Sequence, residues 1–401
     1  MTHQLPSLVL GELGVVLDTT DAVIHETLGR AFASLVRDGG NADKIIGVDL
    51  DADGKWAVVA DGFATITFAH RSDAVDKVVS IINGIALDVA HTRLNIHAGG
   101  VARSDDHALL LAGVPGAGKS TLTAALLSHG YRYLTDEMIG LSADSRRIAG
   151  YQKALTLKRG SETVFTGIDF AEYCSQKDGQ LRWYVPATHL GAGAVIGSAL
   201  PHTLVFPKRI DIDRVDIERL SRPHALLRLL LNSFDLERFG SQALEVAANF
   251  VASCHLYVVA YADANEAANR LSKELEVDPV DAAEVSMLEP HSYLGGESTD
   301  DQPIGRPTVH GVSFEDGGVL HDTVSGRLLA LDPPAVATWC ELDGTRTLAE
   351  IAASLARRFD ANQDIIERDV ATACAQLAAG GFLAGVDATQ QAANWREAQQ
   401  A

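Results

Sequence analysis

Residues 111–121 read LAGVPGAGKST, and no other stretch of the chain restricts its fold as strongly. An apolar run, HALLL, leads into it, and KSTLTAALLSHG follows with helical character up to Gly130, a natural helix-stop glycine. Gly113, Gly118, Lys119 and Ser120 satisfy G-x-x-x-x-G-K-[ST], the phosphate-binding loop. The stretch Gly113, Val114, Pro115, Gly116, Ala117, Gly118, Lys119, Ser120, Thr121 is the expected phosphate cradle. Its glycines permit the backbone angles that turn successive N–H groups toward one anion. The helix that follows aims its positive end at the same point. Lys119 would place a point charge on the β and γ phosphates, and Ser120 a hydroxyl on Mg²⁺. The bland alternative is a tight glycine turn with a coincidental Lys-Ser. The strand before and the helix after are the context that argues against it.

The rest of the chain limits what that cradle can serve. Its formal net charge of −20 disfavours nucleic acid, whose phosphates would repel it, and argues against anionic membranes. No run of about 18 uncharged apolar residues suggests a membrane span. The start, MTHQLPSLVLGELGVVL, has no basic region or cleavage site, so no signal peptide is expected. Cys174, Cys254, Cys340 and Cys374 lie far apart, which points to a reducing cytoplasm without disulfides or structural zinc. Texture divides the chain into a small α/β domain (1–90), a P-loop domain (91–275), a Pro-, Gly- and Asp-rich linker (276–310), a compact domain (311–385) and a tail (386–401).

Asp136-Glu137 follows Ser120 by 16 residues, at the end of YRYLTDE. The short loop helix lets YRYLTDEMIGL be one strand beside the loop strand, which would bring both carboxylates to the phosphates. One could hold Mg²⁺, the expected part for Glu137. The other, Asp136, could accept the proton of an attacking hydroxyl. A solvated acidic pair is the alternative. His97, in LNIHAGGVA, could return to the site through a hairpin and steer a carboxylate, although a lone histidine is more often structural. Lys158-Arg159 and Lys208-Arg209 are basic pairs that could screen a transferring phosphoryl group.

Together IHAGGVA, LLLAGVPGAGKSTLTAALLSHGYRYLTDEMIGL, LTLKRG and LVFPKRI with LSRPHALLRLLLNSFD resemble the HPr kinase/phosphorylase-related kinases over roughly residues 90–275. The resemblance implies the α/β fold of the HPr kinase/PEP carboxykinase type and an ATP- and Mg²⁺-dependent kinase acting on a serine hydroxyl. The HPr enzymes assemble, which makes a homo-oligomer a possible state of this chain, while the sequence itself leaves its oligomeric state open. It places the base at Asp136, the second acidic residue at Glu137, a histidine at His97 and a basic nucleotide contact at Lys158. FPKRI departs from the arginine-Pro-Gly more usual in relatives, which weakens a phosphate role for Lys208 and Arg209. A different N-terminal domain and the missing C-terminal signature make HPr itself an unlikely substrate.

The C-terminal stretch has its own grammar. VLHDTVSGRLLALD reads as a β-hairpin turning at Ser325-Gly326. Asp332 with Pro333-Pro334 opens a helix that ends near Gly344, and Thr347 with Glu350 forms a capping box for a second. Leu348, Ile351, Leu355 and Phe359 make one stripe, and Ile366, Val370, Cys374 and Leu377 a face of a third helix. Hairpin plus three helices is a winged helix-turn-helix pattern. IIERDVATACAQL carries one Arg against Glu and Asp, so it does not read as a DNA-recognition helix. The stretch resembles the PqqD family, including LDPPAVATWCELDG and TLAEIAASLARRFD. That implies recognition of the leader of a ribosomally made precursor peptide, added as a strand at Arg327 to Leu331 and lying against 364–377. A domain that only stabilises or dimerises the kinase is the alternative.

The joint reading is a peptide kinase whose C-terminal domain holds the substrate. Its rivals are a small-molecule P-loop kinase, a nucleotide-switched peptide chaperone without catalysis, and a kinase of a protein partner that phosphate reverses.

Overall fold

The computed structural model describes residues 3–384 apart from 5–6, 38–41, 91, 104–105, 142–146, 166–167, 171–173, 178–179, 192, 276–277 and 292–301. The tail 386–401 and the centre of the expected linker therefore lie outside the described residues. Contacts divide the chain into two units. One is Met1–Glu218 with Tyr257–Asp278; the other is Arg219–Leu256 with Pro279–Ala401.

The first unit opens with a six-stranded sheet whose longest strands are Leu13–Thr19, Lys44–Leu50 and Trp56–Ala60. Leu17, Ile46 and Val58, one from each of these strands, meet Ile24, Leu28, Val78 and Ile82 of the helices Ala22–Ala31 and Arg71–Asp88. Asp21 caps the first helix through Ile24 N at 2.9 Å.

The phosphate loop belongs to a nine-stranded sheet. The loop strand His107–Ala112 has Ser198–Arg209 parallel on one side and Ala98–Ala102 antiparallel on the other. Here the sequence expectation needs correction. YRYLTDEMIGL forms two strands, Arg132–Thr135 and Ile139–Leu141, and Ala98–Ala102 lies between the first and the loop strand. Two local causes are visible. Gly99 lets Ala98–Ala102 pass under the loop helix Lys119–Leu127: a Cβ there would stand 2.4 Å from Thr123 Oγ1. The Thr135 hydroxyl accepts from Glu137 N (3.1 Å) and Met138 N (3.3 Å), which turns the chain at Asp136.

The second unit contains a four-stranded antiparallel sheet: Ser286–Leu288, Val309–Phe314, Gly317–Asp322 and Arg327–Leu331. Three helices follow, Pro333–Trp339, Leu348–Phe359 and Gln363–Gly380. The Thr347–Glu350 capping box forms as expected, and the first helix stops at Trp339, short of Gly344. Ile351, Leu355, Val370, Cys374 and Leu377 enter the core, while Phe359 stays exposed beyond the end of its stripe.

Two features add to the expected hairpin. Part of the stretch read as linker supplies Ser286–Leu288, and Ile304 and Gly305 bridge to Asp343 and Leu383. The helices Arg222–Leu230 and Leu236–Ala252, read from sequence as part of the P-loop domain, pack on this sheet. Every residue of Gly317–Asp322 is buried as a result. A Cβ on Gly318 would meet Val336 of the following helices, and one on Gly317 would meet Pro223 of the inserted pair. Both sheet faces are covered.

Leu355 is 2% exposed within the helical core. Leu355→Ala should cost about 2–5 kcal/mol. Denaturant unfolding followed by Trp fluorescence checks this; a cost under about 1 kcal/mol would contradict the packing.

Candidate active site

Strand register brings the expected residues together. Ala98 pairs with Ala112, so one step further His97 comes alongside Gly113 at the start of the loop. Ile96 pairs with Ile139 on the other side, which sets His97 beside the Asp136–Met138 bend. The phosphate loop, the histidine and the acidic pair thus share one seam.

The loop has the geometry of an anion cradle. Gly116 and Gly118 both take φ of 92°, a region that side chains disfavour. At Gly118 a Cβ would also stand 2.3 Å from Tyr261 Oη, so only glycine fits. Gly113 leaves the loop strand against Pro207, and Val114, Pro115 and Gly116 form the exposed rim, with Ala117 buried beneath. Lys119 Nζ donates to Gly113 O (2.5 Å) and Val114 O (3.3 Å). Burial, helped by the charge of Lys158, lowers its pKa to about 8, with Glu137 opposing. Lys158, exposed in Leu155–Lys158, is therefore in electrostatic range of the loop. Thr121 Oγ1 lies 3.0 Å from Ser161 Oγ, and Ser120 is half-buried at the first helical turn. Lys208 and Arg209 end the strand beside the loop strand, and Arg209 Cβ is 3.9 Å from the position a Gly118 Cβ would take.

Lys153 organises the acidic pair, and sequence reasoning missed it. Its side chain is 1% exposed and stands 3.0 Å from Asp136 Oδ1 and 3.1 Å from Glu137 Oε2. It also donates to Thr156 Oγ1 (2.8 Å) and Ala154 O (3.2 Å). Burial alone would lower its pKa; Asp136 and Glu137 reverse that and hold it charged. The two carboxylates differ. Asp136 Oδ2 accepts from Thr156 N (2.7 Å), and Oδ1 lies 3.2 Å from Tyr133 Oη besides its bond to Lys153. Asp136 is thus enclosed on both oxygens, with a side chain 1% exposed, against 28% for Glu137. Burial would raise Glu137, but Lys153, His97 and Lys119 outweigh it and keep its carboxyl below the usual range. Burial, then Lys119, lowers His97, while the two carboxylates oppose. Glu137 is the open acceptor, Asp136 the fixed one. A lone Lys in GYQKALTL carries no periodic or motif signal; only its pairing across the fold marks it.

The set suits a nucleoside triphosphate: glycine-turned amides, a lysine at the loop, further cations at Lys158 and Arg209, and one accessible carboxylate. Among the described residues no group of three or more His, Cys, Asp or Glu forms a ready metal cage. Mg²⁺ commonly takes one or two protein carboxylates and substrate phosphates, and Ser120 with Glu137 would fit that pattern.

Residues 317–383 match PqqD, coenzyme PQQ synthesis protein D. Among solved structures the chain is similar to the Hpr(Ser) kinase/phosphatase from Coxiella burnetii. The identity is 20%, with 31% of this chain and 77% of that chain covered and a TM-score of 0.19. So low a score carries no weight for the shared geometry. No curated protein matches the chain. The PqqD match falls within the C-terminal stretch that resembles that family. No helix among the described residues is long and apolar enough to cross a membrane.

Removing the counter-ion of a buried ion cluster typically costs about 3–5 kcal/mol. Lys153→Met should therefore destabilise the first unit by that amount, and Lys153→Met with Asp136→Asn should recover part of it. Thermal unfolding of the single and double variants checks both; additive losses would contradict the coupling.

Proposed function

We propose that the chain is an ATP- and Mg²⁺-dependent kinase that phosphorylates a serine hydroxyl of a ribosomally made precursor peptide. The C-terminal unit, a winged helix-turn-helix in this reading, holds the peptide's leader. The observation that carries it is the conjunction on one chain of the loop–carboxylate–Lys153 cluster with a PqqD match over residues 317–383.

Bound ATP and Mg²⁺ would supply the transferable phosphoryl group and charge neutralisation at its oxygens. The loop N–H groups between Gly113 and Ser120, Pro115 apart, would hold the phosphates, and Lys119 would supply them a positive charge. Ser120 and Glu137 would hold Mg²⁺. Lys158 and Arg209 line the approach of the negative charge. The sequence assigns the base to Asp136; its enclosure by Lys153, Tyr133 and Thr156 gives it instead the part of orienting the cluster. The accessible Glu137 then also accepts the serine proton or passes it to His97, whose lowered pKa leaves it neutral and able to take one. The chain itself holds the peptide locally, so the serine meets the site at raised effective concentration.

Intact-mass analysis with ATP, Mg²⁺ and each short peptide that the source genome encodes near this chain tests the reading. One added phosphoryl mass is expected, lost in Glu137→Gln, which should also weaken the Mg²⁺-dependent part of nucleotide binding. Bound peptide with no mass gain would overturn catalysis in favour of a chaperone. If Asp136→Asn alone abolishes transfer while unfolding as the wild type does, Asp136 is the base.

The Lys119 shift gives a pH prediction with a definite sign. Below about 8 the ammonium is charged in both free and phosphate-bound states, so affinity is level. Above about 8 the free chain has lost a proton that the phosphates restore, so affinity falls as pH rises. Titration with a fluorescent nucleotide should show this break, and Lys119→Met should weaken binding and remove it. A wild-type affinity flat to pH 10 on the ordinary lysine scale would contradict the burial.

A further inference from the structure

The strand Arg327–Leu331 is the end strand of its sheet, with one neighbour among the described residues. An end strand presents unpaired backbone groups on its open side. Beside it lies a cavity of about 220 Å³ lined by Ser221, Pro223, His224, Asp316, Ala330 and Gln376, among others. These residues come from two directions. Gln376 belongs to the helix Gln363–Gly380 on one sheet face. Ser221, Pro223 and His224 belong to the N-terminal end of Arg222–Leu230 on the other. Ala330 is on the strand between them. The open edge is therefore flanked by helices on both faces.

We propose that the inserted helix Arg222–Leu230 is the second wall of the peptide groove, and that the groove takes an extended basic segment. The proposal rests on the reading that the C-terminal unit holds a peptide at its end strand. Resemblance to PqqD supplies one wall, the last helix; the other lies outside the matched residues 317–383. A strand added at Arg327–Leu331 would run between Gln376 and His224, its backbone paired and its side chains pointing alternately at the two helices. The polar groups at the mouth are already arranged. His224 Nδ1 lies 2.8 Å from Ser221 Oγ, and Arg222 N donates to Asp316 Oδ2 at 2.9 Å. Asp316 thus occupies the helix N-terminus, so an anion gains nothing there. Asp316 and Asp332 place two carboxylates in the cavity lining, Asp332 also capping Pro333–Trp339 through Ala335 N at 2.9 Å; the nearby guanidiniums are Arg222, 3.7 Å from Asp316, and Arg327, held on Gly380 O at 3.1 Å. Those lining carboxylates, in a chain of net charge −20, favour a Lys or Arg on the peptide.

The test selects a displayed library of random dodecapeptides against the full-length chain. The best binder is then labelled with fluorescein for anisotropy against wild type, His224→Lys and Gln376→Lys. His224 is exposed, so its charge is added without disturbing the core. The expected result is a binder with a basic residue, weakened at least tenfold by either variant and by replacing that residue with Glu. Loss in Gln376→Lys with none in His224→Lys would overturn the second wall while leaving the peptide reading intact. Equal binding of the Glu peptide would overturn the basic preference. No binder, or a binder indifferent to both variants, would remove the peptide groove and the inference with it.

Discussion

An ammonium group at 1% exposure is a costly thing to fold, and Lys153 is tolerable only because two carboxylates, a hydroxyl and a carbonyl surround it. The same contacts fix the backbone. Asp136 joins Lys153 to Thr156 N, so the turn after Arg132–Thr135 is tied to the start of Leu155–Lys158. That tie puts Lys158 in range of Lys119 and leaves Glu137 as the open carboxylate. Charge pairing in the interior thereby determines which groups reach the phosphate loop and which do not.

Close packing completes the site. Gly99 lets a strand pass under the loop helix at Thr123, and Gly118 yields its Cβ space to Tyr261. A side chain at either position would displace the helix that carries Lys119 and Ser120. The second unit follows a related rule. Its central strand is buried at all six residues because helices from two separated stretches of chain close opposite faces.

Much of this was legible because it is local. The loop motif, the capping box at Thr347–Glu350 and the positive-φ glycines need only neighbours in sequence. His97 was approachable because LNIHAGGVA resembles a known pattern, yet its place at the seam depends on two strand registers. What the sequence hid is non-local. Lys153 is one lysine in a short mixed stretch, and its partners lie 16 and 17 residues away across a sheet. The break of YRYLTDEMIGL depends in part on the Thr135 hydroxyl, which accepts from Glu137 N and Met138 N. The inserted helices carry an amphipathic pattern that fits any apolar surface, so the pattern could not say which sheet they would cover.

One measurement reaches the central claim, that the peptide held by the second unit is the substrate of the first. Phosphoryl-transfer rates would be compared, against concentration, for the whole precursor peptide and for its core segment without the leader. The whole peptide should saturate at far lower concentration with a similar maximal rate, because the leader supplies only local concentration. Equal saturation of the two would contradict the claim and detach the second unit from the chemistry of the first.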